Sequence, residues 1–107
     1  MKKFEVLWTK SAEYDLELII QYLKLDSVSI AKEIFIDIKK ECENLYYFPQ
    51  RKRVVPELQQ IGILKYRELI YKRWRAIFKI EKQKVYILLV VDCSRNLEDI
   101  LFQRLIK

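Results

Sequence analysis

The 107 residues include no histidine, one glycine, two prolines and two cysteines. Without imidazole, proton transfer near neutral pH would need a lysine or a carboxylate with a strongly displaced pKa. The two thiols, Cys42 and Cys93, lie far apart with no CxxC spacing and no histidine to complete a zinc site. They read as reduced, mostly buried side chains, and neither a metal nor a cofactor is expected. The scarcity of glycine and proline, with no Gly/Ser stretch and no repeat, leaves no internal boundary, so residues 1–107 read as a single domain. Long apolar runs are also missing. Met1-Lys2-Lys3 followed by Phe4 to Trp8 starts as a signal peptide would, but polar Thr9-Lys10 ends the run. The longest apolar segment, Val85 to Val91, has strand length, far short of the roughly 20 residues of a membrane helix. The expectation is a soluble cytoplasmic protein with no membrane contact.

Apolar residues make up 51% of the chain, sufficient for one compact core. Lys and Arg total 21 against 15 Asp and Glu, a net +6 that matters where the cations gather on one face.

Phe4, Val6 and Trp8 alternate as a strand does. From Ser11 the period becomes helical, with Ala12, Leu16, Ile19, Ile20 and Leu23 on one stripe and Thr9 or Ser11 as cap. Asp26-Ser27-Val28-Ser29 interrupts it, and Ala31, Ile34, Ile38, Cys42 and Leu45 form a second stripe that Pro49 ends. Gln50 to Leu64 lacks periodicity and reads as a long loop, tacked down by Leu58 and Ile61. Three strands follow, Tyr66 to Tyr71, Trp74 to Glu81 and Lys84 to Asp92, joined by two-residue turns as an antiparallel meander. Asn96 caps a short last helix through Leu97, Ile100, Leu101 and Leu105.

The order β-α-α-β-β-β-α predicts an α+β fold, with an antiparallel sheet packed on an N-terminal helical hairpin and a short C-terminal helix. The other side of the sheet is expected to stay open for a partner. Alternation puts Arg75 on the less apolar face of its strand, with Ile77, Lys79 and Glu81, and puts Arg67 with Leu69 and Tyr71. Trp8 and Trp74 read as core.

The Val-Leu-Trp-Thr start, Ala12-Glu13-Tyr14-Asp15-Leu16-Glu17, Val55-Pro56-Glu57, Arg67-Glu68-Leu69, Trp74-Arg75-Ala76-Ile77-Phe78 and Ser94-Arg95-Asn96-Leu97-Glu98 together resemble the RelE/ParE toxin superfamily. The resemblance implies the toxin of a type II toxin–antitoxin module, neutralised by a cognate antitoxin whose acidic and apolar C-terminal segment wraps over it. RelE-like members cut messenger RNA in the ribosomal A site, and ParE-like members poison DNA gyrase. Arg75 and Arg95 match the arginines that RelE-like enzymes use on phosphate. Tyr66 and Glu68 stand where those enzymes carry lysines, and Leu101 where they carry a base-stacking tyrosine. Arg67-Glu68-Leu69 is closer to the ParE-like pattern.

Cleavage through a 2′-hydroxyl needs a proton acceptor and a donor. A lysine base would have to fall from about 10.4 to about 7.5, roughly 4 kcal/mol of destabilised charge. The best-placed groups are Arg75, Arg95 and Glu68, and arginine keeps its proton. This chemistry points away from a well-formed nuclease site, and the resemblance to ParE-like members then implies gyrase inhibition as the expected function. The alternative is a ribosome-dependent endoribonuclease using Arg75, Arg95 and Glu68, with Lys52 or Arg53 assisting, and the third reading is a non-toxic basic nucleic-acid-binding module. Arg51, Lys52, Arg53, Arg67, Arg75 and Arg95 are the candidates for contact with target or antitoxin. The bland readings are a solvated loop for Arg51 to Arg53, and ion pairs with Glu68 or Asp92 for Arg75 and Arg95.

Overall fold

The computed structural model describes residues 3–105. Its elements run β1 (Glu5–Trp8), α1 (Lys10–Lys24), α2 (Val28–Glu43), α3 (Pro56–Gln59), β2 (Tyr66–Tyr71), β3 (Trp74–Glu81), β4 (Lys84–Asp92) and α4 (Leu97–Arg104). Thr9 starts α1 and anchors it: its Oγ1 accepts from the Ala12 amide at 3.2 Å and donates to the Ile87 carbonyl at 2.9 Å. Ser27 caps α2 through the Ile30 amide, and Asn96 caps α4 through the Asp99 amide, satisfying donors that the first helical turn leaves free.

The four strands form one sheet in the order β1-β4-β3-β2. The meander is antiparallel with the expected strand bounds, but β1 joins β4 in parallel, from Glu5↔Lys84 to Trp8↔Ile87, so the sheet is mixed. Parallel pairing requires a long crossover, and the helical hairpin together with the first two strands of the meander supplies it. The hairpin turns place Lys72 (φ 52°) and Lys82 (φ 57°) in the left-handed region that glycine would occupy more easily.

The hairpin covers one face of the sheet, burying Ala12, Leu16, Ile34, Ile38 and Cys42 against Leu69, Trp74, Ala76, Phe78, Ile87 and Val90. Complete burial of each large aliphatic or aromatic side chain contributes roughly 1.5–3 kcal/mol. The opposite face is not open as expected. Tyr66, Ile77, Leu89 and Val91 pack there against Val55 and Leu58 of the α3 segment and Leu97 and Leu101 of α4.

Residues 50–64, read as a loop, are more ordered than their pattern indicated. Pro49–Arg51 is a 3-10 turn, Val54 bridges to Arg67, and the Val55 amide and Arg53 carbonyl bond the Tyr66 carbonyl and Glu68 amide. α3 closes with the amides of Ile63 and Gly62 (φ 82°) donating to the carbonyls of Leu58 and Gln59. This is a Schellman arrangement in which glycine takes the left-handed position. Leu58 is the tack, whereas Ile61 is exposed. Cys42 is buried as expected and Cys93 is exposed, contrary to expectation, because it sits in the turn beyond β4.

Beyond Trp8, β4 has no strand neighbour on the β1 side among the described residues, and side chains cap its edge instead. Asp15 of α1 accepts from the Val90 amide at 3.1 Å, and Arg104 of α4 donates to the Leu88 carbonyl at 2.8 Å. Arg104 also grips both oxygens of Asp15, at 3.2 and 3.1 Å. One ion pair thus ties α1, β4 and α4 together.

Candidate functional site

Three groups of charged residues stand out, and pairing distinguishes them. The first is a buried cluster on the α3/α4 face. Arg75, 8% exposed, projects from β3 between two carboxylates. Its Nη1 and Nη2 donate to the two oxygens of Glu57 at 2.9 Å each, and its Nε donates to Glu68 Oε1 at 2.8 Å, with Nη2 reaching the same oxygen. The other oxygen of Glu68 accepts from Arg53. The Glu68 side chain is 0% exposed, whereas that of Arg53 is 59% exposed. Two arginines and two glutamates make the cluster neutral. Burial by itself would lower the Arg75 pKa, but hydrogen bonds to Glu57 and Glu68 outweigh it and hold the guanidinium above its ordinary value. Donation from Arg75 holds Glu57 below the usual carboxylate range. A phosphate could reach this arginine only by displacing both carboxylates.

The second group borders a groove of about 370 Å³ between the C-terminal half of α1 and the end of the sheet where β3 starts and β4 finishes. Leu18, Ile19, Tyr22, Leu23 and Trp74 form its apolar wall, and Arg73, Asp92, Ser94 and Arg95 its polar rim. Leu18 and Tyr22 stay 46% and 69% exposed, side by side on one helix face, so the wall is a contiguous apolar patch open to solvent. The turn after β4 is fixed by Asp92, which accepts from the Ser94 amide at 2.8 Å and pairs with Arg73 at 2.6 Å. The Ser94 hydrogen bonds first, and then Arg73, depress the Asp92 pKa and keep it ionised. Arg73 is thereby neutralised. Arg95 has no carboxylate partner among the described residues and gives the rim its free positive charge.

The third group lies along the outer edge of β2. Arg67 donates to the Lys52 carbonyl at 2.6 Å, which draws Arg51, Lys52, Arg53 and Arg67 onto one stretch of surface.

The sequence candidates therefore separate. Arg75 and Arg95 do not share a hollow: Arg75 faces the α3/α4 side and is enclosed, and Arg95 is exposed beside α1. Glu68 belongs with Arg75 and Arg53 and has no contact with solvent. Arg67, on the hairpin face by parity with Leu69, joins the loop cations and not Arg75. Glu57 entered only as part of the Val55-Pro56-Glu57 likeness, and neither it nor Arg73, Leu18 or Tyr22 was among the site residues expected from the sequence. An apolar pair four residues apart and off the core stripe of α1 was the available signal for the groove wall.

The family model for the ParE toxin of type II toxin-antitoxin system, parDE, matches residues 6–97. The fold is similar to a chain of the chromosomal ParDE TA system from P. aeruginosa, at 20% identity over 88% of this chain and 100% of that one, with a TM-score of 0.72. It is also similar to a chain of the toxin-antitoxin complex RelBE2 from Mycobacterium tuberculosis, at 21% identity over 89% and 97% of the two chains, with a TM-score of 0.61. No curated protein matches the chain by sequence. No helix among the described residues is long and apolar enough to cross a membrane. The family match runs from β1 through the whole sheet to the cap of α4, and on that match the chain belongs to the ParE toxin family, as the toxin of a type II toxin–antitoxin module with an antitoxin for its partner.

Proposed function

We propose that this toxin acts in the cytoplasm by binding DNA gyrase, not by cleaving RNA, and that its antitoxin lays an acidic, amphipathic segment into the groove beside Arg95. The enclosure of Arg75 by Glu57 and Glu68 carries the reading of the target. An endoribonuclease of the RelE-like kind needs a guanidinium free to meet a phosphate and an acid–base pair beside it. Here the strand arginine has two carboxylates in the place a phosphate would take, and Glu68 is locked between two cations. Arg95 lies in a different setting, and the chain has no histidine. Binding of a protein target makes none of these demands.

Leu18, Tyr22 and Trp74 offer the apolar wall that one face of an amphipathic segment needs, and Arg95 offers the charge that selects acidic residues beside it. The partner antitoxin is a natural occupant of such a groove.

Purified toxin incubated with gyrase, supercoiled plasmid and ATP, then treated with detergent and protease, should leave linear DNA that untreated gyrase does not. Primer extension on messenger RNA from induced cells should show intact transcripts. Cuts within translated frames, with gyrase unaffected, would establish the ribosome-dependent nuclease instead. Growth unaffected by induction would leave the non-toxic basic module.

A further inference from the structure

Other cations in the described part of this molecule are tied to carboxylates or scattered singly, but along β2 they accumulate, with Arg51 and Lys65 lying over the rings of Phe48 and Tyr66. Arg51, Lys52, Lys65 and Arg67 have no carboxylate partner among the described residues. The nearby Arg53 and Arg75 add no net charge, because Glu57 and Glu68 neutralise them. The four free cations are held at one edge by backbone. Val54 bridges to Arg67, the Val55 amide bonds the Tyr66 carbonyl beside Lys65, and Arg67 spends one donor on the Lys52 carbonyl. The remaining donors of that guanidinium have no protein acceptor among the described residues.

The turn that presents Arg51 and Lys52 is held by its own backbone hydrogen bonds. Phe48 takes a left-handed backbone (φ 51°) directly before Pro49, and the amides of Arg51 and Lys52 bond back to the carbonyls of Phe48 and Pro49 at 3.1 Å each. The Arg51 guanidinium lies 4.2 Å from the Phe48 ring centre, and the Tyr47 ring stands edge-on to Phe48 at 4.4 Å. Tyr47, Phe48, Arg51 and Lys52 border a hollow of about 250 Å³ in which Glu41 is the one acid. Flat guanidinium groups grip phosphate with two parallel bonds, and half-exposed rings offer bases a stacking surface.

We propose that this β2 edge, with the 47–53 turn in front of it, is a binding surface for a nucleic-acid backbone. It differs from the groove at Arg95, whose wall is apolar and suits a polypeptide. A run of unpaired cations flanked by rings suits a chain of phosphates with unstacked bases. The proposal holds whether or not gyrase is the target.

The test is fluorescence anisotropy of the full-length toxin with labelled single-stranded DNA, the same sequence as RNA, and the DNA duplex, titrated at several salt concentrations. With three to four phosphates contacted, the slope of log K against log salt on single strands should be about −2 to −3. Arg51→Gln/Lys52→Gln/Arg67→Gln should lower affinity at least about tenfold at low salt and make the slope shallower by about two. Arg51→Gln/Lys52→Gln, which leaves the Arg67 anchor intact, should give more than half of the slope change, so the result does not depend on how well the triple variant folds. Lys24→Gln/Lys32→Gln/Lys84→Gln removes the same charge elsewhere and should change affinity less than about threefold. Whichever of the DNA and RNA strands binds tighter identifies the source of the phosphates. The proposal is overturned if the control variant loses as much as the edge variants, if binding does not respond to salt, or if poly-glutamate competes as well as DNA does.

Discussion

Arg75 separates a structural arginine from a functional one, and its replacement by alanine is the most informative single change. The substitution removes the partner that shares Glu68 with Arg53 and the whole bidentate grip on Glu57. Glu68, with a side chain 0% exposed, keeps one cation on one oxygen and is left with the other oxygen buried and bare. Breaking a buried pair by deleting one member costs about 3–5 kcal/mol, and here the cluster is left with one negative charge in excess and a buried oxygen without a donor. At about 4 °C per kcal/mol for a domain of this size, the melting temperature should fall by about 12–20 °C. That loss is a large share of the roughly 5–15 kcal/mol that holds a small domain folded.

Circular dichroism melts of wild type and Arg75→Ala, at neutral pH and again below pH 4, measure this. Glu57 has a folded pKa below its unfolded one, so its contribution is present above the unfolded value of about 4.3 and disappears as pH falls through the folded value. The gap between the two proteins should therefore narrow in acid. Arg75→Met combined with Glu68→Leu should recover most of the stability, since apolar replacement of a whole buried pair is often neutral, and Arg53 is exposed enough to hydrate. A melting temperature within about 3 °C of wild type for Arg75→Ala would refute the reasoning, because the cluster would then contribute almost nothing to folding. Loss of toxicity in that variant carries no information about the target unless the protein is shown to be folded.

Asp15→Ala should cost about 1–3 kcal/mol in urea unfolding and speed hydrogen exchange at the Val90 amide, since it strips a buried strand edge of its acceptor. Arg104→Met should cost less and leave that amide protected. In thiol labelling of the native protein, Cys93 should react at once and Cys42 only after denaturation, because burial pushes the Cys42 thiol up to about 12 and seals it from solvent.

Strong periodicity made most of the scaffold legible. Three meander strands carry unbroken alternation or apolar runs, and two helices carry stripes at three and four, so their bounds follow from the side chains alone. What escaped was decided by partners distant in the chain. The parallel seat of β1 depends on which strand has a free edge after the crossover, and four residues of Glu-Val-Leu-Trp do not encode that. α3 has four residues, fewer than a hydrophobic period needs to show itself, yet it brings Val55 and Leu58 onto the face expected to be open and delivers Glu57 to Arg75. Parity correctly placed Arg75 on the less apolar side of β3. It said nothing of the two carboxylates waiting there, one of them from outside the sheet.

Net charge in this molecule is a poor guide to where an anion can bind, because the carboxylates are not evenly shared. In the buried cluster two arginines meet two glutamates, and the positive charge is used up in holding the α3 segment to the sheet. At the groove Asp92 consumes Arg73 and leaves Arg95 beside an apolar wall. Along β2 four cations remain unmatched. A guanidinium whose donors are already spent on carboxylates offers an incoming phosphate only the cost of breaking those bonds, while a hydrated one gives up water that is readily replaced. The arginine most deeply set in the sheet is therefore the one least available to an anionic partner, and recognition falls to side chains that the core does not need.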